Sequence, residues 1–325
     1  MLPIAIDALG GDKAPSEIVA GAAQAADELD VPIVLVGPPD LIGDPKGLDV
    51  VACTEVIDMH EEGARAVRRK KDSSLVLCAE LVRDGKASAM LSAGNTGATV
   101  ASALLRMGRI KGVSRPAIAT PIPVPGGTPT VLLDAGANAD VQAAWLVQFA
   151  QMGSAYASAR YGIAEPRVGL LNIGEEASKG DELAKEAHAL IAAADGINFI
   201  GNVEGRDLMT DEVDVVVTDG FTGNVALKTL EGGMRFVRDA VFAALVSSEA
   251  AIKASEVVLP LLLPLADELD PDSHGGAMAL GLQGVCIISH GSSSAKAIVN
   301  AVRVAKDMVE LDLVGRVSAA VQTDT

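Results

Sequence analysis

Glycine, small amides or hydroxyls, and acids recur together where apolar runs end in this 325-residue chain. Asp7-Ala8-Leu9-Gly10-Gly11 follows the first run, and Ser92-Ala93-Gly94-Asn95-Thr96-Gly97 follows another. Asp134-Ala135-Gly136-Ala137-Asn138 and Asp219-Gly220-Phe221-Thr222-Gly223-Asn224 follow two more. Ile173-Gly174-Glu175-Glu176-Ala177-Ser178-Lys179-Gly180 and Ser289-His290-Gly291-Ser292 complete the set. Glycine lets a backbone approach a ligand closely and take positive φ. A helix that starts just beyond offers free N–H groups and the positive end of its dipole. Together these hold an anion, phosphate above all, with few cations. A single such turn reads equally as helix capping; six of them, if they converge on one edge, make a phosphate site the sharper reading.

Particular side chains suggest roles. Lys179 stands at a predicted helix start, where a cation opposes the dipole. That favours a ligand-facing role over that of an ordinary surface lysine. Lys228 lies one turn into the helix after Asn224. Asn95, Asn138 and Asn224 are uncharged donors for a phosphate or carbonyl oxygen, or else turn and cap residues. His290 could donate to an oxyanion or simply cap. Asp7 and Asp219 belong to the same turns. His60, His188 and His274, with Cys53, Cys78 and Cys286, show no metal-ligand spacing, so neither a metal nor a cofactor is expected. The G-x-x-x-x-G-K-[ST] loop, the G-x-G-x-x-G fingerprint after the first strand and the G-x-S-x-G elbow are all missing. This argues against a P-loop NTPase, a standard dinucleotide enzyme and a serine hydrolase.

The elements that must position these turns are legible as alternation. Continuous apolar runs predict strands over 4–8, 33–36, 50–55, 89–92, 117–121, 130–134, 167–172, 198–201, 214–218 and 284–289. Their continuity marks strands buried on both faces. Helical patterns fall over 17–29, 73–84, 139–161, 179–194, 224–246 and 295–309. The expected fold is α/β: a three-layer αβα sandwich with a mostly parallel sheet. One catalytic domain should cover 1–315, as a single large sheet or as two lobes around a cleft, with a loose tail over 316–325. In such folds ligands sit beyond the carboxyl ends of the strands. Gly126 and Gly127, among prolines, predict a turn. Aromatics make up only 2% of the chain, so the core must be assembled from small side chains.

A net charge of −17 argues against nucleic-acid binding and against broad attraction to anionic lipid. One basic run stands out against it: Arg65, Arg68, Arg69, Lys70 and Lys71. It is either a solvated face or a docking site for an acidic partner. The apolar run Val257–Ala266 (VVLPLLLPLA) is too short to span a bilayer, and its two prolines should interrupt any regular helix. It reads as a buried inter-helix segment or subunit contact, or else as an exposed apolar tip touching a membrane or a partner. The N-terminus carries no signal-peptide pattern, so a cytoplasmic location is expected.

The turns resemble those of the bacterial phosphate acyltransferases of the PlsX type. The matching segments are 7–15 (DALGGDKAP), 68–74 (RRKKDSS), 92–98 (SAGNTGA), 133–138 (LDAGAN), 170–180 (LLNIGEEASKG), 201–207 (GNVEGRD), 219–228 (DGFTGNVALK) and 289–292 (SHGS). Their order covers nearly the whole chain. The resemblance implies transfer of a fatty acyl group from acyl-[acyl-carrier protein] to inorganic phosphate. The acyl phosphate would then supply a glycerol-3-phosphate acyltransferase in phospholipid synthesis. It also implies a homodimer, a fold similar to phosphotransacetylases and isopropylmalate dehydrogenases, and peripheral membrane contact. Lysines usually accompany the apolar residues of the membrane region in relatives; Val257–Ala266 has none. Lys179, Asn224 and His290 are the expected catalytic residues. Asp7, Gly10, Gly11, Ser92, Gly94, Asn95, Thr96, Gly97, Asn138, Asp219, Gly223 and Lys228 are the expected phosphate and substrate contacts, with the basic run docking the carrier protein. An acetyl- or butyryltransferase using acyl-CoA and a non-catalytic scaffold of lipid-synthesis enzymes are the competing readings.

Overall fold

The computed structural model describes residues 1–321. Its strands are β1 (Ile4–Asp7), β2 (Ile33–Gly37), β3 (Asp49–Ala52), β4 (Ala89–Ser92), β5 (Ala117–Ile122), β6 (Thr130–Leu133), β7 (Arg167–Leu171), β8 (Asn198–Val203), β9 (Val215–Val217), β10 (Ala277–Leu280) and β11 (Val285–Ile288). Its helices are α1 (Ser16–Leu29), α2 (Pro39–Ile42), α3 (Gly63–Arg69), α4 (Ser74–Arg83), α5 (Thr96–Arg106), α6 (Ala143–Tyr161), α7 (Glu182–Ala193), α8 (Gly220–Leu245), α9 (Glu249–Glu268), α10 (Ala295–Glu310) and α11 (Leu313–Val321).

All the strands join one sheet in the order β3-β2-β1-β4-β11-β10-β5-β6-β9-β7-β8. Alternate residues of each central strand feed opposite cores. Ile4 and Ile6 pack with α1 and α10 on one face, while Ala5 packs with α4 on the other. Helices α1, α6, α7, α10 and α11 cover the first face, and α3, α4, α5 and α8 the second. This is the expected three-layer arrangement.

The sheet is parallel except at its middle, where β10 runs antiparallel to both β11 and β5, and β5 antiparallel to β6. The reversal at the β5–β6 hairpin turns the second half of the sheet over. Strands β1, β4 and β11 therefore end at one edge, whereas β6, β9 and β7 end at the other. The six polar turns, expected to converge on one edge, are divided three and three. The reason is geometric: a short connection over residues 123–129 can close a hairpin but cannot carry a parallel crossover.

Two further expectations change. The run Val257–Ala266 lies inside α9, which continues through Pro260 and Pro264. Both prolines are exposed and four residues apart, so they share the outer face, where water solvates the carbonyls they leave without donors. The expected loose tail is helical over 316–321, with Val317 and Val321 buried. The remaining residues of that tail lie outside the described ones. Among the described residues, no helix is long and apolar enough to cross a membrane.

Candidate active site

At the first edge, β1 and β4 end side by side. The buried Ser92 Oγ donates to Asp7 Oδ2 at 2.7 Å and accepts from the Gly94 N–H at 2.9 Å. Leu9 N–H donates to the other Asp7 oxygen at 3.3 Å. Burial pushes the Asp7 carboxyl above its ordinary value, against the opposing hydrogen bonds of Ser74, Ser92 and Leu9. Gly10 is needed at this joint, since a Cβ there would stand 2.5 Å from Asp7 Oδ2. The joint is satisfied within the protein. Asn95 is equally committed: its oxygen caps α5 through Ala98 N at 2.9 Å, and its Nδ2 donates to the Met59 and Glu61 carbonyls at 3.0 and 2.8 Å.

At the opposite edge the turn after β6 winds around the fully buried Asp134. Its oxygens accept from the backbone of Ile118, Gly136, Ala137 and Asn138. Asn138 donates its amide to Asp134 and to the Pro116 carbonyl, both at 2.8 Å. Helix α8 starts against this turn. Asp219 caps it by accepting from Thr222 N at 2.8 Å, and the Gly220 N–H donates to the Asn138 carbonyl at 2.7 Å. Asn224 then reaches back, donating from Nδ2 to the Ala135 carbonyl at 3.1 Å. Strands β7 and β9 are parallel neighbours, so the loop carrying Lys179 leaves the sheet beside the start of α8. Lys179 lies two residues before Asp181, which caps α7, and so precedes the helix it was expected to begin. Its stem passes over Gly174 on the side where Glu176 Oε2 also lies, its residue is exposed, and its ammonium makes no ion pair among the described residues.

Between the edges, a cavity of about 170 Å³ opens over the face of β5, β10 and β11 beneath α8. Of the expected site residues, Thr96, Asn224, Lys228 and His290 line it. Lys228 is paired with Glu231 at 2.8 Å. His290 Nδ1 accepts from the Ser292 N–H at 3.3 Å and lies 2.8 Å from Ser292 Oγ. These partners assign the proton of the neutral ring to Nε2, leaving that nitrogen a donor. Asp7, Ser92, Asn95, Asn138, Asp219 and Lys179 do not line the cavity. Sequence reasoning missed Ser289, His274 and Met234, which do. Ser289 is only 4% exposed, and its hydroxyl has no partner among the described residues. Its place in the SHGS segment was the available signal.

The basic run divides. Glu61 takes both Arg69 and Lys70, and Glu62 faces Arg65 at 3.6 Å. Arg68 and Lys71 are exposed and have no acidic partner among the described residues. Only part of the expected docking face therefore presents free charge.

The architecture is that of the phosphotransacylases. The branched-chain phosphotransacylase of Enterococcus faecalis V583 superposes with a TM-score of 0.61 at 16% identity, covering 95% of this chain and 99% of that one. A phosphotransacetylase from Streptococcus pyogenes gives 0.59, also at 16% identity, covering 99% and 95%. At that identity the likeness concerns the fold alone. Residues 2–316 match the family described as "Fatty acid synthesis protein", and the chain belongs to that family. The phosphate acyltransferase of Heliobacterium modesticaldum is 48% identical over 324 residues, spanning 97% of this chain and 96% of that protein. That of Geobacillus sp. is 47% identical over 327 residues, spanning 99% of each.

Proposed function

We propose that this protein transfers a fatty acyl group from acyl-[acyl-carrier protein] to inorganic phosphate, giving acyl phosphate for phospholipid synthesis. The observation that carries this reading is a junction: the opening turns of α8, with Asn224, meet a cavity whose walls are largely apolar. An anion belongs at a helix start and an acyl chain in such a cavity. Phosphate is the nucleophile, so no protein serine or cysteine need attack. Its oxygen bonds to the thioester carbonyl carbon and the C–S bond breaks. The sulfur departs as thiolate, which a thiol pKa of about 8.5 makes easy. The protein's task is to hold phosphate beside the thioester and to stabilise the tetrahedral oxyanion. Lys179 supplies charge from the neighbouring loop, Asn224 an amide donor, and His290 Nε2 a further donor on the cavity wall. Arg68 and Lys71 meet the acidic carrier protein.

The homodimer and peripheral membrane contact are assigned to the α8–α9 hairpin. No residue of α9 is buried, and Phe236, Val237, Val257 and Leu261 each expose more than half their surface. The acids Asp267, Glu268, Asp270 and Asp272 follow, so apolar insertion rather than charge would hold the lipid.

The test is to incubate purified protein with palmitoyl-acyl-carrier protein and phosphate and to assay acyl phosphate by hydroxylamine trapping. Phosphate-dependent acyl hydroxamate, with far less from acetyl-CoA, is expected. No product from the carrier substrate would remove the reading, and equal or faster turnover of acetyl-CoA would replace the donor.

A further inference from the structure

Helix α8 is 26 residues long, yet its buried residues are Gly220 and Gly223 alone. Beyond them the face turned to the sheet carries the half-buried Leu227, Leu230 and Met234, with the Lys228–Glu231 pair among them. Leu227 packs with both the cluster containing Ile118 and the one containing Ile122, and Leu230 with the latter, so helix and strand run alongside each other. Asn224 marks the level of Ile118, because it bonds Ala135, whose N–H donates to the Ile118 carbonyl at 2.9 Å. Met234, ten residues on, lies about 15 Å further along the helix. Asn224, Leu227, Leu230, Met234, Ile118 and Ile122 all line the one cavity, as do Pro123 and Leu269.

Along α8 the cavity is thus lined in turn by Asn224, Leu227, Leu230 and Met234, and the Lys228–Glu231 pair, Asp272 and His274 line it as well. Leucine, isoleucine and methionine side chains that line open space lack dispersion contacts on that side, and an apolar ligand restores them. We propose that the slot between α8 and β5 is the acyl-chain subsite, and that Met234 sets the length of chain it accepts. The inference rests on the reaction proposed above. The acyl carbonyl lies at Asn224, where the phosphate meets it, and the alkyl chain extends past Leu227 and Leu230 to Met234. A chain longer than the slot must displace Met234; a shorter one leaves apolar wall uncovered.

The experiment compares wild type with Met234→Trp and Met234→Ala. Acyl phosphate formation is measured across acyl-carrier proteins loaded with octanoyl, lauroyl, palmitoyl and stearoyl chains. Met234 is half-buried, so both variants should fold, and unfolding midpoints verify this. Met234→Trp should lower kcat/KM for the longest chains by about tenfold or more while sparing octanoyl, the scale at which a hydrophobic pocket discriminates. Met234→Ala should move the preference toward longer chains. Identical profiles in all three proteins would overturn the subsite while leaving the reaction standing. If wild type makes no acyl phosphate, the reaction fails instead, and binding of a matched series of alkylphosphonates decides on the slot. Weaker binding of the long members to Met234→Trp supports it, and unchanged binding overturns it.

Discussion

Asn224 Nδ2 donates to the carbonyl oxygen of Ala135, 89 residues earlier, at 3.1 Å. The bond fixes the opening of α8 on the turn that winds around Asp134, and it holds the amide at the mouth of the cavity. Asn224→Ala should cost about 10²–10³ in turnover, the usual effect of removing one oxyanion donor. The lost hydrogen bond should cost only about 1 kcal/mol of stability. Steady-state rates and urea midpoints separate the two effects. A variant that loses stability in proportion to activity would make Asn224 a structural residue only.

Gly223 stands where α8 comes closest to the same turn, and a methyl group there would overlap the Asp134 carbonyl oxygen. Backbone cannot yield as a flexible side chain can. Gly223→Ala should therefore cost about 1–3 kcal/mol and displace the start of α8. A lower urea midpoint accompanied by lost activity is expected. An unchanged midpoint would show that the junction has more room than the geometry allows.

The Lys179 ammonium has no acidic partner among the described residues, so its removal should leave the fold alone. Lys179→Ala is expected to lose about 10²–10³ in turnover at an unchanged melting temperature. The loss should be accompanied by a raised KM for phosphate. Full activity in this variant would exclude the lysine from the site.

Much of this was legible in the sequence, for reasons that particular elements make clear. Strands such as β1 and β4 are buried on both faces, so their apolar runs are continuous and stand out. β10 was missed because Ala277–Leu280 is short and follows Gly275 and Gly276 directly. The sequence of α9 reads as a broken helix because local rules forbid internal proline. An exposed outer face relaxes that rule, and only the fold supplies the face. The polar turns were all visible, but their division between two edges was not. It depends on which strands run antiparallel, and the sole local hint was the glycine turn at Gly126 and Gly127. Ser92 and Asn95 look like ligand donors in one dimension, whereas their partners Asp7 and Met59 are 85 and 36 residues away.

The free charges of the basic run define a sharper docking test. Arg68→Glu with Lys71→Glu should raise the KM for acyl-carrier protein while leaving kcat near wild type, and added salt should shrink the difference. Arg69→Ala, which breaks the pair with Glu61, should affect stability more than KM. A change confined to kcat in the double variant would assign these cations another role.

The carboxyl of Asp7 gives the fold a predictable pH response. Burial is the dominant influence and raises its folded value above the ordinary aspartate value of 3.8. A group shifted upward contributes stability that is fully present below its unfolded pKa. That contribution is lost as pH rises through the folded pKa, because the folded state then gives up a proton it held more tightly than the unfolded chain. Asp7→Asn cannot ionise and so lacks this slope. Urea midpoints of both proteins, measured from about pH 4 to about pH 8, should diverge in one direction, with wild type losing ground as pH rises. Any fixed offset from the rearranged bond to Ser92 drops out, because slopes are compared. Parallel curves would show that the hydrogen bonds from Ser74, Ser92 and Leu9 cancel the effect of burial at this joint, and wild type gaining ground with rising pH would show that they outweigh it.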